Sequence, residues 1–208
     1  MRRHHARAAI VESAPPFLES LIMRFATDDP FDGSAIGALG RIASTRSRTH
    51  LKSLLRRSSE PRSWWILLAL ARVGHRDDAE FLATVLQDEK MDQTSRRYAA
   101  LGLGHIGGDQ AVQFLERALD GVSAEVRPWI AIALGNTRSR AAVPVLIGMF
   151  GDTPSRHNVC GALKTLTHRT WCDGSADDDA AKRRQWLRWW NENGTKASIL
   201  GPDNCPAD

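Results

Sequence analysis

The spacing most suggestive of chemistry in this chain is Gly102-Leu103-Gly104-His105-Ile106-Gly107. It matches the glycine fingerprint that cradles a dinucleotide pyrophosphate. That chemistry needs a strand before the glycines and a helix after them, so that free N–H groups meet the phosphates. Here an amphipathic stretch, Arg96 to Leu101, precedes the glycines, and Leu39-Gly40 and Leu134-Gly135 repeat part of the pattern. The motif is therefore expected to be the turn of a repeat, with no nucleotide bound. The histidines give no better site. His50, His75, His105, His157 and His168 are scattered, and the adjacent His4 and His5 sit in an aperiodic tail; zinc sites need closer spacing. Asp177-Asp178-Asp179 is expected to serve the start of a helix, where acids meet the positive end of the dipole. No nucleophile elbow, P-loop or Cys-His arrangement is present. The serines between Ser44 and Ser63 alternate with arginines, as on a solvated face. Three cysteines cannot close a disulfide framework. Cys160, in an apolar stretch, is expected to be a small buried thiol. Cys172 and Cys205 lie in polar sequence; a pairing between them is the alternative to the expected reducing compartment. No catalytic residue, cofactor or metal ligand can be named, and the chain is expected not to be an enzyme.

The elements that would position any site are repeats. Five segments lead to a leucine at Leu39, Leu70, Leu103, Leu134 and Leu163, in steps of 31, 33, 31 and 29 residues. Arg96, Arg127 and Arg156 stand seven residues before their leucine. Leu51, Leu82, Leu115 and Leu146 stand twelve after it, and Leu55, Leu86, Leu119 and Phe150 sixteen after it. Each unit then forms two helices. In the first, Val126, Ile130, Ala131, Ala133 and Leu134 share one face, and a turn such as Gly74-His75 or Gly107-Gly108 closes it. The second carries Phe81-Leu82, Phe114-Leu115 or Val145-Leu146. Neither helix can bury its stripe alone, so stacking makes the core. Pro16 to Ala26, with Phe17, Leu18, Leu21, Ile22 and Phe25, is expected to be an N-terminal capping helix. After Leu163 no second helix follows in register. A helix opening at Asp177-Asp178-Asp179 and ending at Asn193-Gly194 takes its place, with Trp186, Leu187, Trp189 and Trp190 on its apolar side.

The run Val126-Arg127 through Ala133-Leu134-Gly135, then Ala142-Val143-Pro144-Val145-Leu146, resembles the short HEAT-like repeat of bacterial proteins, also called the phycobilisome-lyase type. Leu163-Lys164-Thr165-Leu166-Thr167 and the later tryptophans are similar to the way such proteins finish. The resemblance covers roughly residues 33 to 193. It implies an all-α, right-handed α-α superhelix of about five helical pairs with helical caps. It does not single out a function, because the family holds scaffolds, bilin-lyase subunits, a metal-dependent hydroxylase and DNA-binding members. The hydroxylase branch holds its metals with His-Glu pairs, and this chain has no His-Glu dipeptide. In the family, the arginine of the repeat pairs with acids or helix ends of neighbouring units, which implies a structural role for Arg96, Arg127 and Arg156.

Two features could bind a partner. The net charge of +4 is uneven: from Arg41 to Arg76, nine Lys or Arg accompany one acid, Glu60. Arg48, Lys52 and Arg56 recur at helical spacing on the second helix of the first repeat, with Arg46 and Arg57 projecting further. In HEAT solenoids such helices line the concave side, so this would be a positive wall suited to phosphates or an acidic protein. Asp77, Asp78, Glu80, Asp109 and Glu116 bring negative charge to later second helices, which restricts a nucleic acid to one end. The other feature is an aromatic column, Trp65, Tyr98 and Trp129, five residues before the leucine in three units. It is either packing between repeats or a partly exposed ladder for a partner.

Hydrophobic residues make up 42% and charged residues 25%, ordinary for a folded protein. No apolar run approaches the roughly 18 residues of a membrane span. Trp64 to Ala71, the longest candidate, is bounded by Arg62 and Arg72. The run Ala8 to Val11 is too short for a signal-peptide core. The expected organisation is a disordered tail over 1–13, a solenoid over 14–193 and a second disordered tail over 194–208. The expected role is a monomeric, cytoplasmic, non-catalytic scaffold for a protein partner, without membrane attachment. The alternatives are nucleic-acid binding through the basic segment 41–76, and a lyase- or hydroxylase-type enzyme subunit.

Overall fold

A computed structural model of the chain describes residues 16–28, 33–57, 64–169, 171 and 179–195. Among the described residues there are eleven α-helices, two single 3-10 turns and no strand. The fold is all-α. The helices separate into two compact units, 1–75 and 76–208, divided after the Gly74-His75 turn. The tails 1–13 and 196–208, Asp177, Asp178, Cys172 and Cys205 lie outside the described residues.

The first unit holds α1 (Pro16–Asp28), α2 (Gly33–Ile42), α3 (Thr45–Arg57) and α4 (Trp64–Val73). α2 and α4, the first helices of successive repeats, pack side by side, and α3 lies against both. α1 caps α2 and α3, but not with the stripe its sequence suggests. Phe17, Leu18, Leu21 and Phe25 face solvent, and Met23 and Ala26 are buried. Polar bonds decide the rotation. Ser44 and Ser47 on and beside α3 both donate their hydroxyls to the Glu19 carboxylate, the second at 2.6 Å. His50 Nε2 lies 3.1 Å from the Met23 carbonyl and 3.2 Å from the Thr27 hydroxyl. Glu19, Met23 and Thr27 share one helical face, and that face is the one turned to α3.

The second unit holds α5 (Ala79–Gln87), α6 (Gln93–Ile106), α7 (Gly108–Ala118), α8 (Arg127–Asn136), α9 (Ala142–Gly148), α10 (Arg156–Thr167) and α11 (Asp179–Asn193). α6, α8 and α10 form one layer, and α5, α7, α9 and α11 the other. α11 therefore supplies the second-layer helix that the register lacks after Leu163. The five register leucines, Leu39, Leu70, Leu103, Leu134 and Leu163, are wholly buried, as are Leu51, Leu82, Leu115 and Leu146. Each contributes about 2 kcal/mol through the apolar surface removed from water.

Small residues set the spacing between neighbouring first helices. A side chain placed on Gly104 would put its Cβ 2.7 Å from the Ala133 carbonyl oxygen, and one on Gly135 would come within 2.8 Å of the Ala162 Cβ. In the first unit, Gly40 stands in the same relation to Ala69, at 2.9 Å. One residue after the leucine thus meets one residue before the next leucine. The glycine fingerprint is explained by the same packing. Gly102 and Gly104 lie inside α6 and Gly107 caps its carboxyl end, with φ +72° and its N–H on the Leu103 carbonyl. A helix, and not a strand, leads into the glycines, so the strand-turn-helix frame of a phosphate cradle is absent there.

Candidate functional site

The arginine column is structural in each of its three copies. Buried Arg96 donates Nε to the Leu86 carbonyl at 2.8 Å and a terminal nitrogen to the Gly121 carbonyl at 3.1 Å. It ties the end of α5 to the loop after α7. Arg127 pairs with Asp152 at 3.3 Å, and Arg156 with Asp179 at 2.9 Å. Asp179 opens α11, so it serves that ion pair as well as the helix dipole.

The basic segment keeps four of its five side chains at the surface and loses one. Arg46, Arg56 and Arg57 are exposed and Lys52 is half-buried, but Arg48 is 4% exposed, with a guanidinium nitrogen 3.4 Å from the Thr45 hydroxyl. Its position beside Ser47, Leu51 and Leu55 turns it into the unit. The i, i+4, i+8 stripe loses its first member. Arg46 has a local task as well, since its charge acts on Glu19. Burial pushes the Glu19 carboxyl up, but the hydroxyls of Ser44 and Ser47 together with Arg46 outweigh it and hold the group below its ordinary value.

The aromatic column is part packing and part surface. Trp65 stacks on Trp64 with ring centroids 4.1 Å apart, and its ring also lies against Gly33 in the preceding repeat. It nevertheless stays 38% exposed. Tyr98 and Trp129 are half-buried. The Arg97 guanidinium lies over the Trp129 ring at 5.8 Å, which joins α6 to α8 by a cation–π contact.

The histidines stay apart. His105 bonds its own helix through the Leu101 carbonyl, and His157 and His168 are exposed on α10 and at its end. Among the described residues no three His, Cys, Asp or Glu come together as metal ligands would. The expectation for Cys160 is corrected: it is half-buried and disulfide-bonded. The cysteines therefore no longer argue for a reducing compartment. No helix is long and apolar enough to cross a membrane among the described residues.

Set against known families, residues 88–166 match the model of HEAT repeats. That segment is built of HEAT repeats. The match spans α6 to α10 and agrees with the stacking of three first helices there. The chain is similar to bovine (Bos taurus) deoxyhypusine hydroxylase, 26% identical over 141 residues, which is 60% of this chain and 46% of the relative. It thus spans less than half the length of that curated relative. Among solved structures, human deoxyhypusine hydroxylase in complex with glycerol aligns with 91% of this chain and 88% of its own. The TM-score is 0.40 and the identity 19%, too low to bear on function.

The similarity to the curated relative corrects the expectation of a non-catalytic scaffold, and with it the expectation of no enzyme, because that relative is an enzyme. The physical reason for the error is that repeat columns dominate the sequence. Chemistry in such a fold sits at a few positions that packing does not prescribe, and an absent motif there says little. The resemblance to the hydroxylase branch also implies metal held by His-Glu pairs. The donor set here does not fit that group: the sequence has no such pair, and the described residues gather no ligand cluster.

Proposed function

We propose that the chain is a HEAT-repeat enzyme subunit of the hydroxylase type, one that holds the polypeptide substrate while the oxidising centre comes from another chain. The observation that carries this reading is the 26% identity over 141 residues with a curated deoxyhypusine hydroxylase. The misfit of the metal donors supports the division of labour, and no reaction step is assigned to a metal on this chain. The second-layer helices give such a subunit its surface: exposed Glu80 on α5, and Asp109 and Glu116 on α7, supply negative charge for an amine-bearing side chain.

The test is binding of the full chain to two peptides of one sequence, one carrying deoxyhypusine and the other lysine, followed by fluorescence anisotropy. The expected result is at least about tenfold tighter binding of the deoxyhypusine peptide, a difference of about 1.4 kcal/mol. Equal affinity for the two peptides would overturn the reading.

A further inference from the structure

The last helix of the second unit carries a cleft that none of the comparisons assigns. Trp171, Ala181, Gln185, Arg188, Trp189 and Glu192 line it, around a volume of ≈ 600 Å³, within the range of small-ligand sites. Ala181, Gln185, Arg188 and Glu192 lie along one face of α11 at helical spacing, and the two indoles form the apolar wall. Trp189 meets Trp171 edge-on, with centroids 5.8 Å apart, and packs against the fully buried Trp186 at 5.5 Å. The wall is therefore rigid, since three indoles brace one another.

Two observations fix the sign of the ligand. Arg169 lies over both Trp171 and Trp189, its guanidinium carbon 4.9 Å from each centroid. Those ring faces already hold a cation, so a second one would be repelled. Arg188 is exposed on the cleft and makes no ion pair among the described residues, while Asp179, an acid of the same helix, is engaged by Arg156. An exposed guanidinium with no ion pair among the described residues, beside an apolar wall, suits an anion joined to an apolar body. Glu192 opposes a highly charged anion and favours a single negative charge.

We propose that this cleft binds a small monocarboxylate bearing an aromatic or branched apolar group, with Arg188 meeting the carboxylate and Trp171 and Trp189 the apolar part. This does not depend on the hydroxylase reading. The test follows the indole N–H resonances of ¹⁵N-labelled full-length protein during titration with N-acetylphenylalanine or its primary amide. The carboxylate is expected to shift the Trp189 resonance saturably, and the amide to bind at least about fivefold more weakly. Arg188 and Glu192 are exposed, so R188Q and E192Q keep the fold and a dispersed spectrum reports it. R188Q is expected to weaken binding at least about fivefold, and E192Q to strengthen it about two- to fivefold by removing a like charge. Equal binding of acid and amide, or weakening by E192Q with no effect of R188Q, would overturn the proposal.

Discussion

Two glycines in the same helical layer of the second unit have opposite tasks. Gly104 in α6 leaves no room for a methyl group, whose carbon would meet Ala133 main-chain atoms at 2.7 and 2.8 Å; a methyl group on Gly161 in α10 would meet nothing within 4 Å. G104A is therefore expected to lose about 1–3 kcal/mol by overpacking. G161A gains about 0.5–1 kcal/mol from reduced backbone freedom in the unfolded chain. Urea unfolding midpoints of the two variants measure this, and a destabilised G161A would contradict it. Glu19 gives the pH dependence at this scale. Its carboxyl is held below the ordinary value of 4.5 by Ser44, Ser47 and Arg46 against the effect of burial. A depressed folded value means stability is present above the unfolded value and lost as pH falls through the folded one. E19Q is expected to be less stable than wild type at neutral pH, and the gap closes below pH 4.5. A gap that persists or widens in acid would contradict this assignment.

The helices were largely legible before the structure, because packing alone dictates their columns. All five register leucines were found by spacing and all are buried. The replacement of a missing second helix by the one starting near Asp179 was also readable. α1 was not. Its apolar residues suggested an inward stripe, yet Glu19, Met23 and Thr27 are the residues that meet α3. Hydrogen bonds across a sequence gap of more than twenty residues leave no local pattern to read. Arg48 failed for a related reason: helical spacing groups it with Lys52 and Arg56, but it is buried with its neighbours Ser47, Leu51 and Leu55. The cleft on α11 escaped because Trp171 stands alone in sequence and joins the tryptophans of the helix only in space. Arg96 yields the prediction for this scale. It bonds two main-chain carbonyls on different segments, so R96M leaves both without that partner. The expected loss is about 2–4 kcal/mol, and R96K restores little of it because an ammonium lacks the planar fork. A thermal melt within a degree or two of wild type would contradict this.

At the scale of the chain, the repeats account for the shape of each unit but not for the activity. The segment 88–166 is HEAT-repeat sequence, and the curated relative is a hydroxylase whose length this chain spans by less than half. Within the described residues no ligand set for a metal is assembled. An enzyme subunit that grips substrate and works with a separate oxidising chain reconciles the two observations. The direct measurement is peptide mass spectrometry on a deoxyhypusine-bearing protein. It is incubated with the full chain alone, with extract of cells from which the chain has been deleted, or with both. The account predicts the mass of one added oxygen in the combined reaction and none with either part alone. No added oxygen in the combined reaction would contradict it, and so would turnover by the purified chain alone.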